Sequence, residues 1–90
     1  MLKSETTQKF RECYSNLPKV IQQATRKAYY LWKEDNAHPA TQFKVVHQNK
    51  PIYSARVSLG FRALGIKEGD TVIWFWVGPH AVYDKLLKLL

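Results

Sequence analysis

Residues 53–83 read YSARVSLGFRALGIKEGDTVIWFWVGPHAVY, and this stretch decides the fold. Ile52 to Leu59, Phe61 to Ile66 and Thr71 to Val77 are rich in branched and aromatic residues. Such residues favour strands, and the breaks at Gly60 and at Lys67-Glu68-Gly69-Asp70 are too short for anything but hairpins. The segment is therefore expected to form an antiparallel meander. Alternation along its first strand sends Tyr53, Ala55, Val57 and Leu59 to one side and Ser54, Arg56 and Ser58 to the other. An earlier run, Phe43 to His47, joins through Asn49-Lys50-Pro51 as a further strand. Beyond the meander, Gly78-Pro79 leads into Ala81 to Leu90, where Leu86, Leu87 and Leu90 beside Lys85 and Lys88 suit a short amphipathic helix.

Upstream of the strands the period changes. Thr7 is placed to cap a helix whose Phe10, Tyr14 and Leu17 recur at steps of three and four. Pro18 suits the first turn of a second helix, with Ile21, Ala24, Ala28 and Leu31 as its apolar stripe and Tyr29, Tyr30 and Trp32 at the margins. Glu34 to Thr41 is a polar loop broken by Pro39, and Met1 to Thr6 is short and polar, giving no clear strand. The expected architecture is one α+β domain over residues 1–90: an N-terminal helical hairpin packed on an antiparallel meander sheet, with a short C-terminal helix.

Ninety residues support a single core. Fourteen Lys and Arg against seven Asp and Glu give a formal charge of +7, which favours a polyanionic partner, nucleic acid first and an acidic protein second, although charge also serves solubility. Cys13 is the single cysteine, so no internal disulfide can form, and a reducing cytoplasmic setting is expected. The polar N-terminus does not read as a secretory signal. The longest apolar run, Val72 to Val77, is far short of the roughly 18 residues that cross a bilayer.

If Leu59-Gly60 forms the bend of a hairpin, Arg56 and Arg62 face each other near its end. Two converging guanidiniums repel unless an anion such as phosphate bridges them; the alternative is that each pairs with a carboxylate, Glu68 or Asp84. His80 falls at a strand-to-helix junction, where an imidazole can act as general base or acid or can serve only as a cap. Tyr83, three residues on, shares its helical face and can reach the same phosphate, stack on a base, or pack under the sheet. Lys44 points away from Phe43 and Val45 and extends a basic surface toward Arg56. Trp74, Phe75 and Trp76 are read as core. His38, His47, His80 and Cys13 lack metal-ligand spacing and no glycine-rich phosphate loop is present, so neither a metal nor a nucleotide cofactor is indicated.

With Tyr53-Ser54-Ala55-Arg56-Val57, Gly60-Phe61-Arg62-Ala63-Leu64 and Trp76-Val77-Gly78-Pro79-His80 in this order, and with Leu17-Pro18, His38-Pro39 and Phe43-Lys44 ahead of them, the chain resembles the RelE/ParE toxin superfamily, nearest its HigB-like members. The resemblance covers nearly the whole length. It implies the toxin of a type II toxin-antitoxin pair: a metal-independent, ribosome-dependent endoribonuclease that cuts mRNA by attack of the ribose 2′-hydroxyl on phosphorus and is neutralised by a cognate antitoxin. It further implies that Arg56 and Arg62 hold and stabilise the phosphate, that His80 stands where relatives carry a histidine or arginine and Tyr83 where many carry a tyrosine, with Lys44 binding RNA. The ParE branch offers a non-catalytic alternative, poisoning of DNA gyrase by binding. No acidic residue adjoins Arg56 to act as the carboxylate base of some members.

Overall fold

The computed structural model describes residues 1–90. Nine elements follow in order: β1 (Lys3–Thr6), α1 (Gln8–Ser15), α2 (Lys19–Glu34), a 3-10 turn (Pro39–Thr41), β2 (Lys44–Val45), β3 (Ile52–Ser58), β4 (Phe61–Glu68), β5 (Thr71–Pro79) and α3 (His80–Leu89). The five strands form one sheet in the order β1-β5-β4-β3-β2. β2 to β5 are the expected antiparallel meander. The helical hairpin carries the chain from one sheet edge to the other across one face, and α3 covers the opposite face.

Burial on both faces explains why β5 reads as an unbroken apolar run rather than an alternating one. On the hairpin side Trp32, Ala55, Ala63, Val72, Trp74 and Val77 form one buried cluster, with Phe10, Tyr14, Leu17 and Phe43 packed against it. On the α3 side Ile52, Leu64, Trp76 and Tyr83 form a second, joined by Leu86, Leu87 and Leu90. Alternation turns neighbours such as Ala63 and Leu64 opposite ways, and the bulge where Leu64 pairs with Trp76 and Gly65 with Trp74 sends Trp74 and Trp76 to different faces.

Thr7 caps α1 as expected, its side-chain oxygen accepting from the Phe10 N–H at 3.1 Å. Pro18 stands immediately before α2. Gly69 takes φ +61 in the β4–β5 turn, a left-handed conformation that a side chain would disfavour.

Three local expectations are corrected. Residues 3–6 do form a strand: β1 pairs in parallel with β5, Lys3 opposite Thr71 and Thr6 opposite Trp74. Backbone bonding holds it, with Lys3 N–H donating to Asp70 O at 2.8 Å and Thr7 N–H to Trp74 O at 3.0 Å, so its side chains carry no alternating signal. Trp32 is not marginal; at 1% exposure it is a centre of the core, in T-shaped contact with Trp74 and Phe43 at 5.4 Å each. The buried face of α2 is rotated toward Thr25 and Trp32, leaving Tyr30 63% exposed. The strand expected over Phe43 to His47 shrinks to Lys44–Val45, because the His47 imidazole turns the chain by accepting from the N–H groups of Asn49 and Lys50, both at 3.0 Å.

Candidate phosphodiester site

The β3–β4 hairpin brings the first candidates together. Its register sets Arg56 directly opposite Arg62 and Ser58 opposite Phe61, with Leu59-Gly60 as the turn. A bulge between Arg56 and Ser58 breaks the register just there. Bulges sharpen local twist and re-aim the side chains beside them. Arg62 donates through one guanidinium nitrogen to Ser58 O at 3.1 Å and Phe61 O at 3.0 Å, so its head is held at the turn.

Both arginines are half-buried and neither has a carboxylate partner. The carboxylates that do lie near basic side chains are elsewhere, Asp70 by Lys3 and Asp84 by His80. The alternative in which Glu68 or Asp84 neutralises these arginines therefore fails. Like charges set opposite one another in a sheet destabilise it, and an anion between them removes that cost.

The same register continues onto β5, where Gly78 lies opposite Arg62 and Pro79 opposite Phe61. Gly78 is required there: a Cβ would come within 2.6 Å of the Trp76 ring, which folds over the glycine. The chain then enters α3 at His80, whose backbone N–H donates to Gly60 O at 2.8 Å. Arg62 and His80 are thus both fastened to carbonyls of one turn. Arg62 also shares its sheet face with Leu64, two residues on, which packs under α3. Arg56 pairs with Arg62 in the register at the last position before the bulge.

His80 keeps 44% of its side chain exposed, and its Nδ1 lies 3.2 Å from Asp84 Oδ2, one helical turn on. Asp84 therefore lies on the Nδ1 side of the ring, and Nε2 is the nitrogen turned away from it. Asp84 is a residue that sequence reasoning misplaced, as a partner for an arginine; the four-residue spacing to His80 was the available signal. Tyr83 meets the His80 ring edge-on at 5.3 Å but is itself 8% exposed among Ile52, Leu64 and Trp76. Its ring is a packing element of the α3-side core. Lys44 is exposed and opposite Ser54, on the face that carries Arg56. Arg56 in addition borders a shallow groove between α2 and the 3-10 turn.

The remaining histidines have structural tasks: His38 Nδ1 accepts from the Ala40 N–H at 3.1 Å, as His47 does in its own turn. No three His, Cys, Asp or Glu side chains gather as a metal-ligating group. No helix is long and apolar enough to cross a membrane.

No protein-family model matches the sequence, and no curated protein does. Solved structures do. The fold is that of the RelE-like toxins of toxin-antitoxin systems. The chain is similar to the RelB-RelE antitoxin-toxin complex of Methanococcus jannaschii, with TM-score 0.72 and 17% identity over 90% of this chain and 96% of that one. It is also similar to the RelBE2 toxin-antitoxin complex of Mycobacterium tuberculosis, with TM-score 0.69 and 18% identity over 87% and 96%. YafQ of E. coli matches with TM-score 0.62 and 13% identity over 92% and 98%. At these identities the likeness is one of fold.

Proposed function

We propose that this protein is the toxin of a type II toxin-antitoxin pair and acts as a metal-independent, ribosome-dependent endoribonuclease on mRNA. The observation that carries the reading is the pairing of Arg56 with Arg62, free of carboxylates, beside a turn to which His80 is hydrogen-bonded. The RelE-like fold and the +7 charge support it. The nearness to HigB-like members rests on the sequence segments alone.

In this reaction the ribose 2′-hydroxyl loses a proton and attacks phosphorus, charge builds on the non-bridging oxygens, and the departing 5′-oxygen gains a proton. Arg56 and Arg62 bind the phosphate and stabilise the charge that develops on it. His80 moves a proton through Nε2, with Asp84 orienting the ring. Lys44 steers the RNA backbone along β2 and β3. Tyr83 holds His80 from below and offers its hydroxyl at the margin of the site. The partner that neutralises the toxin is a cognate antitoxin; RelB is bound to its toxin in the M. jannaschii complex, and DinJ to YafQ in E. coli.

The test is a coupled translation reaction with purified protein, followed by mapping of RNA ends and, in parallel, a gyrase supercoiling assay. Cleavage of translated mRNA that disappears in His80→Ala supports the proposal. Intact mRNA together with blocked supercoiling would assign the protein to the gyrase-poisoning class instead.

A further inference from the structure

A groove of about 350 Å³ opens between α2, the 3-10 turn and the far end of β3. There is room for it because β2 pairs only with Tyr53 and Ser54, so from Arg56 onward β3 has no strand on its outer edge. α2 presents Ala24, Lys27, Ala28 and Leu31 to the groove, positions three and four apart that share one helical face. The 3-10 turn is held firm on its side, with Thr41 1% exposed and its hydroxyl donating to His38 O at 2.9 Å.

Two cations meet in this groove, and no acidic side chain lines it. Lys27 is exposed, Arg56 is half-buried, and neither has a carboxylate within ion-pair distance. Like charges gathered in one groove repel, and an anion seated between them removes that cost. The groove is also continuous with the phosphodiester site. Arg56 belongs to both, and Ser58, whose carbonyl holds the Arg62 guanidinium, lines the groove as well. A lysine stem laid over alanines with its ammonium in water accounts for Lys27 taken alone, but not for the arginine it shares the groove with.

We propose that the groove carries the RNA nucleotide adjoining the scissile phosphate, with Lys27 as the positioning residue that holds the neighbouring phosphate and the apolar wall of α2 lying against the sugar and base. This rests on the reading of Arg56 and Arg62 as the phosphodiester site. Single-stranded RNA suits the arrangement because its successive phosphates meet Arg56 and Lys27 in turn, while its bases offer apolar faces between them. Lys27 fixes where the strand lies and takes no part in proton transfer.

The experiment titrates the ¹⁵N-labelled protein with a 2′-O-methyl RNA hexanucleotide, which binds without being cut. The amides of Ala24 and Ala40 report on the groove and those of Gly60 and Arg62 on the hairpin turn, and both sets are expected to move along one saturation curve. In anisotropy titrations with the same RNA, Lys27→Ala is expected to bind roughly tenfold more weakly and to lower the slope of log affinity against log salt by about 0.7. Lys27→Arg keeps the charge and should restore both. Lys9→Ala removes the same charge from α1, outside the groove, and should change neither. Movement at Gly60 and Arg62 with Ala24 and Ala40 unmoved overturns the groove and leaves the phosphodiester reading standing. Movement at Ala24 and Ala40 alone contradicts that reading and with it the continuous path. The proposal is also overturned if Lys27→Ala binds as the wild type does, if Lys9→Ala weakens binding to the same extent, or if the groove amides respond to a hexaglutamate peptide and not to RNA.

Discussion

The backbone N–H of His80 donates to the carbonyl oxygen of Gly60 at 2.8 Å, tying the first residue of α3 to the turn that sets Arg56 against Arg62. One hydrogen bond thereby fixes a strand-to-helix junction relative to a hairpin twenty residues earlier in the chain. Positioning of this kind is what a metal-free phosphodiester site needs, because its rate enhancement comes from donors already aimed at developing charge.

Arg62→Ala is expected to lower mRNA cleavage on the order of a hundredfold or more, and Arg56→Ala comparably, since in the proposed mechanism each donates to the phosphate. Arg62→Lys should rescue little, because an ammonium cannot reproduce the planar fork. Rates of primer-extension product formation on translated message, with circular dichroism as the folding control, check both.

His80→Ala is expected to cost on the order of 10²–10⁴ in rate, the range of general acid–base contributions. Asp84→Asn should cost less, because it leaves the imidazole in place and removes only the carboxylate 3.2 Å from Nδ1. Single-turnover cleavage by the two variants gives the order; equal losses would show that Asp84 does more than orient the ring.

Lys44→Ala should weaken RNA binding without altering the rate at saturation. The slope of log affinity against log salt should fall by about 0.7, the loss of one phosphate contact on a single strand. Fluorescence anisotropy across a salt series measures it.

Gly78→Ala should destabilise the fold by about 1–3 kcal/mol, the usual cost of overpacking, because the new Cβ would strike the Trp76 ring at 2.6 Å. Thr7→Ala should cost about 1 kcal/mol through loss of the α1 cap. Urea denaturation separates the two.

Much of this arrangement was legible before any coordinates. The opposition of Arg56 and Arg62 follows from a two-residue break at Leu59-Gly60, which dictates which residues pair. Thr7 and Pro18 marked helix starts through local chemistry that tertiary contacts did not override. β1 was not legible, because a parallel edge strand held by backbone bonds needs no side-chain pattern. The sequence of α2 reads equally well with two adjacent stripes, one of which leaves Trp32 at a margin, and only the sheet beneath selects between them. Charge alone points Asp84 at the arginines, whereas its own helix sets His80 one turn away. The burial of Tyr83 depends on how α3 settles over Leu64 and Trp76, a contact between segments that periodicity does not report.

The most direct measurement is the chemistry of the cut end. Message translated in the presence of the wild-type protein should carry 2′,3′-cyclic phosphate termini at the cleavage sites, and Arg62→Ala, folded and at equal concentration, should produce almost none. Termini bearing a 5′-phosphate and a 3′-hydroxyl, or cleavage undiminished in Arg62→Ala, would contradict a phosphodiester site built on the paired arginines.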